Sequence, residues 1–307
     1  MKPLILRSKG EVLLGRDGFT LESLPETFQK SFPDVPPKYI DSLSLMAGIA
    51  AVRAFQGTQF SAEVRQNFAV ILGSGFGAMD SVVDFDRQGL LNGPNTVNPM
   101  DFPNTVANAA GSRIGIWLQL KGPNVTLTNG DTAFIDAIGF AWEGFNDGLF
   151  RDCLVGAMEK IPAFLKPLAA SPAAPKEIKE GACFLWASSA ENQEALFEVT
   201  DYFSLQFKPD FRVPGGHLSR WEGLWGGVEW LGCPTHASFE SLLPQNVSRY
   251  SPNPAVLELG LGGLDSLNHF LSSAGTQGII AAVSESERKL SLIKVTKKKG
   301  DPQNGNN

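Results

Sequence analysis

The chain has 307 residues, 43% of them hydrophobic, and a net charge of −6. That is enough apolar material for a large core in one domain or two closely packed ones, and the acidic balance argues against a nucleic-acid surface. No window approaches the roughly 18 apolar residues of a membrane span, and Met1-Lys2-Pro3 opens onto strand-like Leu4-Ile5-Leu6-Arg7 rather than a leader's apolar core, so a cytoplasmic protein away from the membrane is expected.

In chain order, Leu4 to Leu14 offers two short apolar runs around Lys9-Gly10, read as a hairpin-like entry, followed by a polar stretch through Pro37. Tyr39 to Phe55 carries Leu43, Met46, Ala47, Ile49 and Ala50 at helical spacing. Phe68 to Leu72 is a strand that breaks into Gly73-Ser74-Gly75-Phe76-Gly77, and a helix follows from about Met79. Such a glycine loop can cradle a dinucleotide, but no acidic ribose partner ends a following strand, so a tight backbone turn is the better reading. A long helix is expected over Phe102 to Leu120, then a strand over Val125 to Leu127, a helix over Asp131 to Phe145 and a strand over Asp152 to Ala157. Lys160 to Lys179 reads as a connection, Ala182 to Ala187 as a strand, and a helix lies near Ser266. GIIAAV and LSLIKV form a terminal hairpin, and Lys297-Lys298-Lys299 opens a frayed, solvated tail. Strands alternating with helices imply an α/β sheet with helices on its faces. Cys153, Cys183 and Cys233 are odd in number and far apart, and two lie in strand-like runs, which suits buried reduced thiols.

Four segments share one further pattern. Gly122 to Glu159, GPNVTLTNGDTAFIDAIGFAWEGFNDGLFRDCLVGAME, resembles the active-site segment of β-ketoacyl synthases. VILGSGFGAM is similar to that family's strand ending in Gly-Ser-Gly-x-Gly, FPNTVANAAGSRIGIWLQLKGP to its P-x4-N-x2-A-G helix, and KEGACFLW to its Gly-Glu-Gly-Ala strand. The resemblance runs in consistent order over Tyr39 to Glu191. It implies the thiolase-like αβαβα layered fold, with residues 1–190 as the N-terminal ketosynthase-like half and 191–307 as a shortened C-terminal half with a flexible tail from about 297. Within the pattern, Asp131 falls where the nucleophilic cysteine belongs. His269, in Asn268-His269-Phe270-Leu271, resembles the family's second catalytic histidine, though Leu264 replaces the expected lysine and Asn268 the expected glycine. His236 stands a plausible distance upstream for the first, without the H-G-T-x-T pattern; His217 reads as an ordinary structural histidine.

A cysteine at a helix N-terminus is activated by the helix dipole. A carboxylate there would attack a thioester to give an anhydride that water cleaves, so no acyl chain would be stored. The ordinary role of Asp131 is a helix N-cap, and Cys153 and Cys183 stand at strand positions that do not replace the nucleophile. The resemblance therefore implies a chain-length-factor-like subunit lacking the catalytic Cys and paired with an active ketosynthase. It implies dimerisation across Asn124, Val125, Thr126, Leu127 and Thr128, with Met100, Asp101 and Phe102 reaching the partner's acyl tunnel. Phe102 and Trp117 would cap that tunnel, and Phe134 belongs to the same set. An acyl carrier protein would dock through the partner; no cofactor and no metal is expected. The alternative is a ketosynthase-like decarboxylase of malonyl carrier protein that uses His269, and a remoter one is a thioester hydrolase with Asp131 as base.

Overall fold

The computed structural model describes residues 1–169, 177–188, 195–207, 220, 223–232, 247–252, 256–257, 259–284 and 286–297. Its strands are β1 (Leu4–Leu13), β2 (Ala69–Gly73), β3 (Asn124–Leu127), β4 (Asp152–Glu159), β5 (Glu177–Ile178), β6 (Gly181–Ser188), β7 (Phe197–Gln206), β8 (Trp230–Gly232), β9 (Ser248–Tyr250), β10 (Val256–Leu257), β11 (Gln277–Ser284) and β12 (Lys289–Thr296). Its helices are α1 (Leu24–Ser31), α2 (Ser42–Phe55), α3 (Ala62–Gln66), α4 (Met79–Asn92), α5 (Ala109–Trp117), α6 (Ala133–Asn146), α7 (Lys166–Ala169) and α8 (Leu264–Ser272).

Ten strands form one sheet in the order β3-β2-β4-β6-β1-β7-β12-β11-β8-β9, and β5 pairs with β10 apart from it. The order contains a repeat. Numbered within its own half, each set of five strands runs 3-2-4-5-1 from the outer edge inwards. In each, three parallel outer strands meet an antiparallel fourth, β6 in one half and β12 in the other. The halves join where β1 pairs antiparallel with β7 through Leu4, Ile5 and Leu6.

Side-chain alternation turns this sheet into layers. Cys153, Val155 and Ala157 of β4 face an inner core with Phe134, Ile138 and Trp142 of α6, while Leu154 and Met158 face an outer core beneath α1, α2 and α5. In the second half Ile280, Ala282, Ile293 and Val295 face the same inner core, and Ile279, Ala281, Leu290 and Leu292 face a third cluster on the far side. Helix α6 thus has a sheet on either side, which accounts for its apolar character all round. This is the thiolase-like αβαβα layering. Two bulges sit at matching places: β1 shifts register between Leu6 and Ser8, and β7 between Val199 and Asp201 opposite Val295 and Lys294. Each moves the strand's buried face from the inner core to an outer one, as an extra residue must.

Four expectations need correction. Residues Leu4 to Leu13 form one bulged strand rather than a hairpin, because both edges find partners, β6 and β7. The polar stretch after them holds α1, whose Leu24 and Phe28 are buried against α2. The helix expected from Phe102 begins only at Ala109: Pro99 and Pro103 lie in a 3-10 segment, Pro99–Asn104, where a proline's missing N–H suits a short turn better than a continuous helix. Lys297 is no frayed residue either. Its ammonium donates to the carbonyls of Phe270, at 2.7 Å, and Ser273, closing the C-terminus of α8. The Cys153 and Cys183 thiols are buried and free as expected, while Cys233, His217 and His236 lie outside the described residues. No helix among the described residues is long and apolar enough to cross a membrane.

Candidate functional site

The parallel run of β3, β2 and β4 brings Leu127, Gly73 and Ala157 side by side at one end of the sheet. From there three loops leave: Ser74 to Gly77 after β2, Thr128 to Thr132 after β3, and Lys160 onward after β4. Ser74 donates its N–H to Leu127 O at 2.9 Å, and its hydroxyl accepts from Gly77 N at 2.8 Å, so the glycine loop is fixed to β3 and to itself.

Glu159 closes that loop. Its fully buried carboxylate accepts from the N–H groups of Gly75 (2.5 Å), Phe76 (3.2 Å), Gly260 (3.0 Å) and Lys160 (3.2 Å). The N–H groups with which such a loop would hold a phosphate are therefore already taken by a side chain of the chain itself, which settles the glycine loop as a turn. Gly260 belongs to the second half, so this carboxyl also fastens the halves together; neither Gly75 nor Gly260 has room for a Cβ. Burial outweighs the four N–H groups and pushes the Glu159 carboxyl up to about 7.

Asp131 lies in the 3-10 turn Gly130–Thr132 ahead of α6. It does not cap that helix: no side-chain cap bond is made there, and its carboxyl instead bonds with Ser284 at the end of β11. Burial raises its pKa, and the nearby Glu287 raises it further. The turn is held from behind by Asp136. That buried carboxylate accepts from Thr132 Oγ1 (2.8 Å), Asn129 Nδ2 (2.9 Å), Tyr202 Oη (2.9 Å) and Lys289 Nζ (2.5 Å). Burial opposes its charge, yet Lys289, Ser291 and Asn129 hold the carboxyl below the usual range. Tyr202 comes from β7 and Lys289 from β12, so Asp136 is a second link between the halves.

The thiols offer no substitute nucleophile here. Cys153 and Cys183 are fully buried in adjacent strands, and burial drives both well above the ordinary thiol value. His269 is exposed on the last turn of α8, its ring stacked on Tyr250 with centroids 3.9 Å apart. The contacts of Asp131 come from the β11–β12 turn, so the structure supplies no pairing of Asp131 with His269.

Among the expected interface residues, Asn124, Val125, Thr126 and Leu127 form β3, the outermost strand of the sheet, with β2 as its one neighbour among the described residues; Asn124 and Thr128 are exposed and the three between them half-buried. Met100 and Phe102 are each 58% exposed, and Asp101 is half-buried beside them. Arg113 fixes this segment: it bonds Asp41 at 2.5 Å and Asn104 by its other nitrogen, and Asp41 caps α2. Two members of the set fall elsewhere. Trp117 packs on Phe28 and Phe32, at 4.8 and 5.3 Å, at the far end of α5; it belongs to the outer core. Phe134 is fully buried in the inner core because α6 runs between two sheets. Glu159, Asp136, Tyr202 and Lys289 were not singled out from the sequence. A carboxylate ending the apolar run CLVGAME, and another inside AFIDAIGFA, were the available signals.

Fold and site together define a thiolase-like protein with two fused halves and a tight turn at the head of the central helix. The family model for the β-ketoacyl synthase N-terminal domain matches residues 10–163, half of the chain, and the chain belongs to that family. Nodulation protein E of Rhizobium sp. is 28% identical over 174 residues, 51% of this chain and 42% of that protein. A 3-oxoacyl-[acyl-carrier-protein] synthase 2 of Vibrio cholerae is 30% identical over 122 residues, 38% and 29% of the two chains. The matches thus span less than half the length of these relatives. Among solved structures, a chain of a type II polyketide acyl-carrier protein complexed with its ketosynthase superposes with a TM-score of 0.76 at 17% identity, covering 97% of this chain and 100% of that one. A chain of the ishigamide ketosynthase/chain length factor gives 0.74 at 18% identity, covering 96% and 99%.

Proposed function

We propose that the chain is a non-catalytic, chain-length-factor-like subunit that pairs with an active β-ketoacyl-ACP synthase in type II polyketide, polyene or fatty-acid-like biosynthesis. The observation that carries this reading is a set of exposed apolar side chains on α4 and the segment it packs on, together with the open outer edge of β3. Helix α4 has fourteen residues and buries none of them. On it Leu90 is 85% exposed and Leu91 70%, and in the segment whose Phe102 ring meets Phe85 of α4 at 5.9 Å, Met100 and Phe102 are 58% exposed each. Large apolar side chains left in water, and a strand whose outer edge has no partner among the described residues, are each the mark of an interface rather than of a free surface. Pairing across β3 would bring Met100, Asp101 and Phe102 to the partner's acyl tunnel, where Phe102 would limit chain length by bulk.

The loss of chemistry supports the same reading. An acidic side chain bonded to Ser284 stands at the nucleophile position, and the described cysteines are inert by burial. An exposed His269 stacked on Tyr250 lends no support to the decarboxylase alternative. The acyl carrier protein is taken to dock on the catalytic partner, since this chain is itself acidic.

The experiment is co-expression with the ketosynthase encoded beside it. Co-purification in a fixed ratio is expected, with condensation that depends on the partner's cysteine. A chain that stays monomeric with every neighbouring ketosynthase overturns the proposal.

A further inference from the structure

On the outer face of the first half, two aromatic groups approach without closing. Phe28, Phe32 and Trp117 form one; Phe55, Phe60 and Phe68 form the other, with centroids 4.8 to 5.5 Å apart. A half-open cavity of about 290 Å³ lies between them, lined by Phe32 and Trp117 from one group and by Phe55 and Phe60 from the other, with Val52 at its wall. Two short segments shape it: the left-handed Gln56-Gly57 turn that ends α2, and α3 after it.

One charged group enters this cavity. Arg65 donates through Nε to Phe60 O at 3.1 Å and through Nη1 to Leu118 O at 2.9 Å. Both acceptors are neutral carbonyls. Among the described residues no carboxylate lies within ion-pair distance of Arg65. Its charge is fixed in direction and left uncompensated, with Nη2 still available.

Aromatic walls select an apolar body, and a fixed guanidinium selects a carboxylate, whose geometry matches the planar fork. The volume lies at the small end of ligand pockets, roughly 300 Å³ and upward, which favours one or two rings or a short chain. We propose that this cavity binds a small hydrophobic carboxylic acid, its body between the Phe and Trp rings and its carboxylate on Arg65. The proposal uses no residue of the Asp131 turn and does not depend on the function argued above.

Titration of the full chain with 2-naphthoate, and in parallel with the neutral 2-naphthalenemethanol, tests it by tryptophan fluorescence and ligand-observed NMR. Wild type is expected to bind the acid saturably and about tenfold more tightly than the alcohol, the worth of one charge-assisted hydrogen bond. Arg65→Met should bring the acid down to the level of the alcohol, and Val52→Trp, which plugs the cavity while keeping the arginine, should remove both. Absence of saturable naphthoate binding, equal affinity for acid and alcohol in wild type, or naphthoate affinity unchanged by Val52→Trp would each overturn the proposal.

Discussion

At residue 131 an aspartate stands where the resemblance places a nucleophilic cysteine, in a turn that joins β3, a glycine at φ +55 and α6. Asp131→Cys should therefore place a thiol where the helix dipole favours the thiolate. Intact-mass alkylation of the native variant is expected to show one adduct more than wild type, and equal labelling would put residue 131 out of solvent reach. Glu159 gives a pH dependence. Its folded pKa of about 7 lies above the 4.5 of an unperturbed carboxyl, so between those values the folded state holds a proton that the unfolded state has lost. The stabilisation is complete below about 4.5 and disappears as pH rises through 7. Thermal midpoints should fall from pH 5 to pH 8 in wild type. In Glu159→Gln the profile should be flatter and lower throughout, because an amide NH2 would face two of the four N–H donors. Asp136→Asn should cost on the order of 3 kcal/mol in chemical denaturation, since it leaves the Lys289 ammonium half-buried without its counter-charge.

At the scale of elements, the proposed pairing rests on α4 and β3. Leu90 and Leu91 point into water in the last turn of α4, where a cation suits the helix dipole, so replacing both by Lys should leave the stability of the isolated chain within about 0.5 kcal/mol of wild type. The same change should abolish capture of a ketosynthase partner in pull-down; retention of the complex would move the interface off this face. Elements were legible in the sequence where one period dominated. Strands β2, β4 and β6 read as apolar runs, α2 and α6 as helices, and β11–β12 as a hairpin, because buried strands and a central helix leave a dense apolar signature. What was not legible depended on tertiary partners. Leu4 to Leu13 reads as two runs because the bulge at Arg7 changes which face is buried, and a face change looks like a break. The resemblance puts Trp117 at a tunnel because the sequence fixes its position only along α5, whereas its neighbours Phe28 and Phe32 come from a polar stretch in which α1 leaves little local signal. Asp131 reads as a cap because Asp at a helix start usually is one; the competing hydroxyl, Ser284, is 153 positions away in sequence and invisible locally.

For the whole molecule, the inner core decides whether the halves are independent. Phe134, Ile138 and Trp142 of α6 have Val155 and Leu185 on one side and Val199, Ile280 and Ile293 on the other. Leu264, Leu267 and Phe270 of α8 complete the same cluster, and Glu159 to Gly260 and Asp136 to Lys289 cross the same junction. A half containing α6 without β7, β11, β12 and α8 would present one full face of its central helix to water, and the buried carboxylates would lose their partners. The N-terminal half is therefore expected to depend on the rest. Full-length protein should unfold in a single transition, with near- and far-ultraviolet circular dichroism giving the same midpoint. Residues 1–190 expressed alone should keep much of their far-ultraviolet signal, bind an apolar dye and show no sharp melt. A sharp, dye-free transition in that fragment would mean that the outer core beneath α2 suffices to fold the half, and that the repeat of the sheet order reflects two autonomous domains.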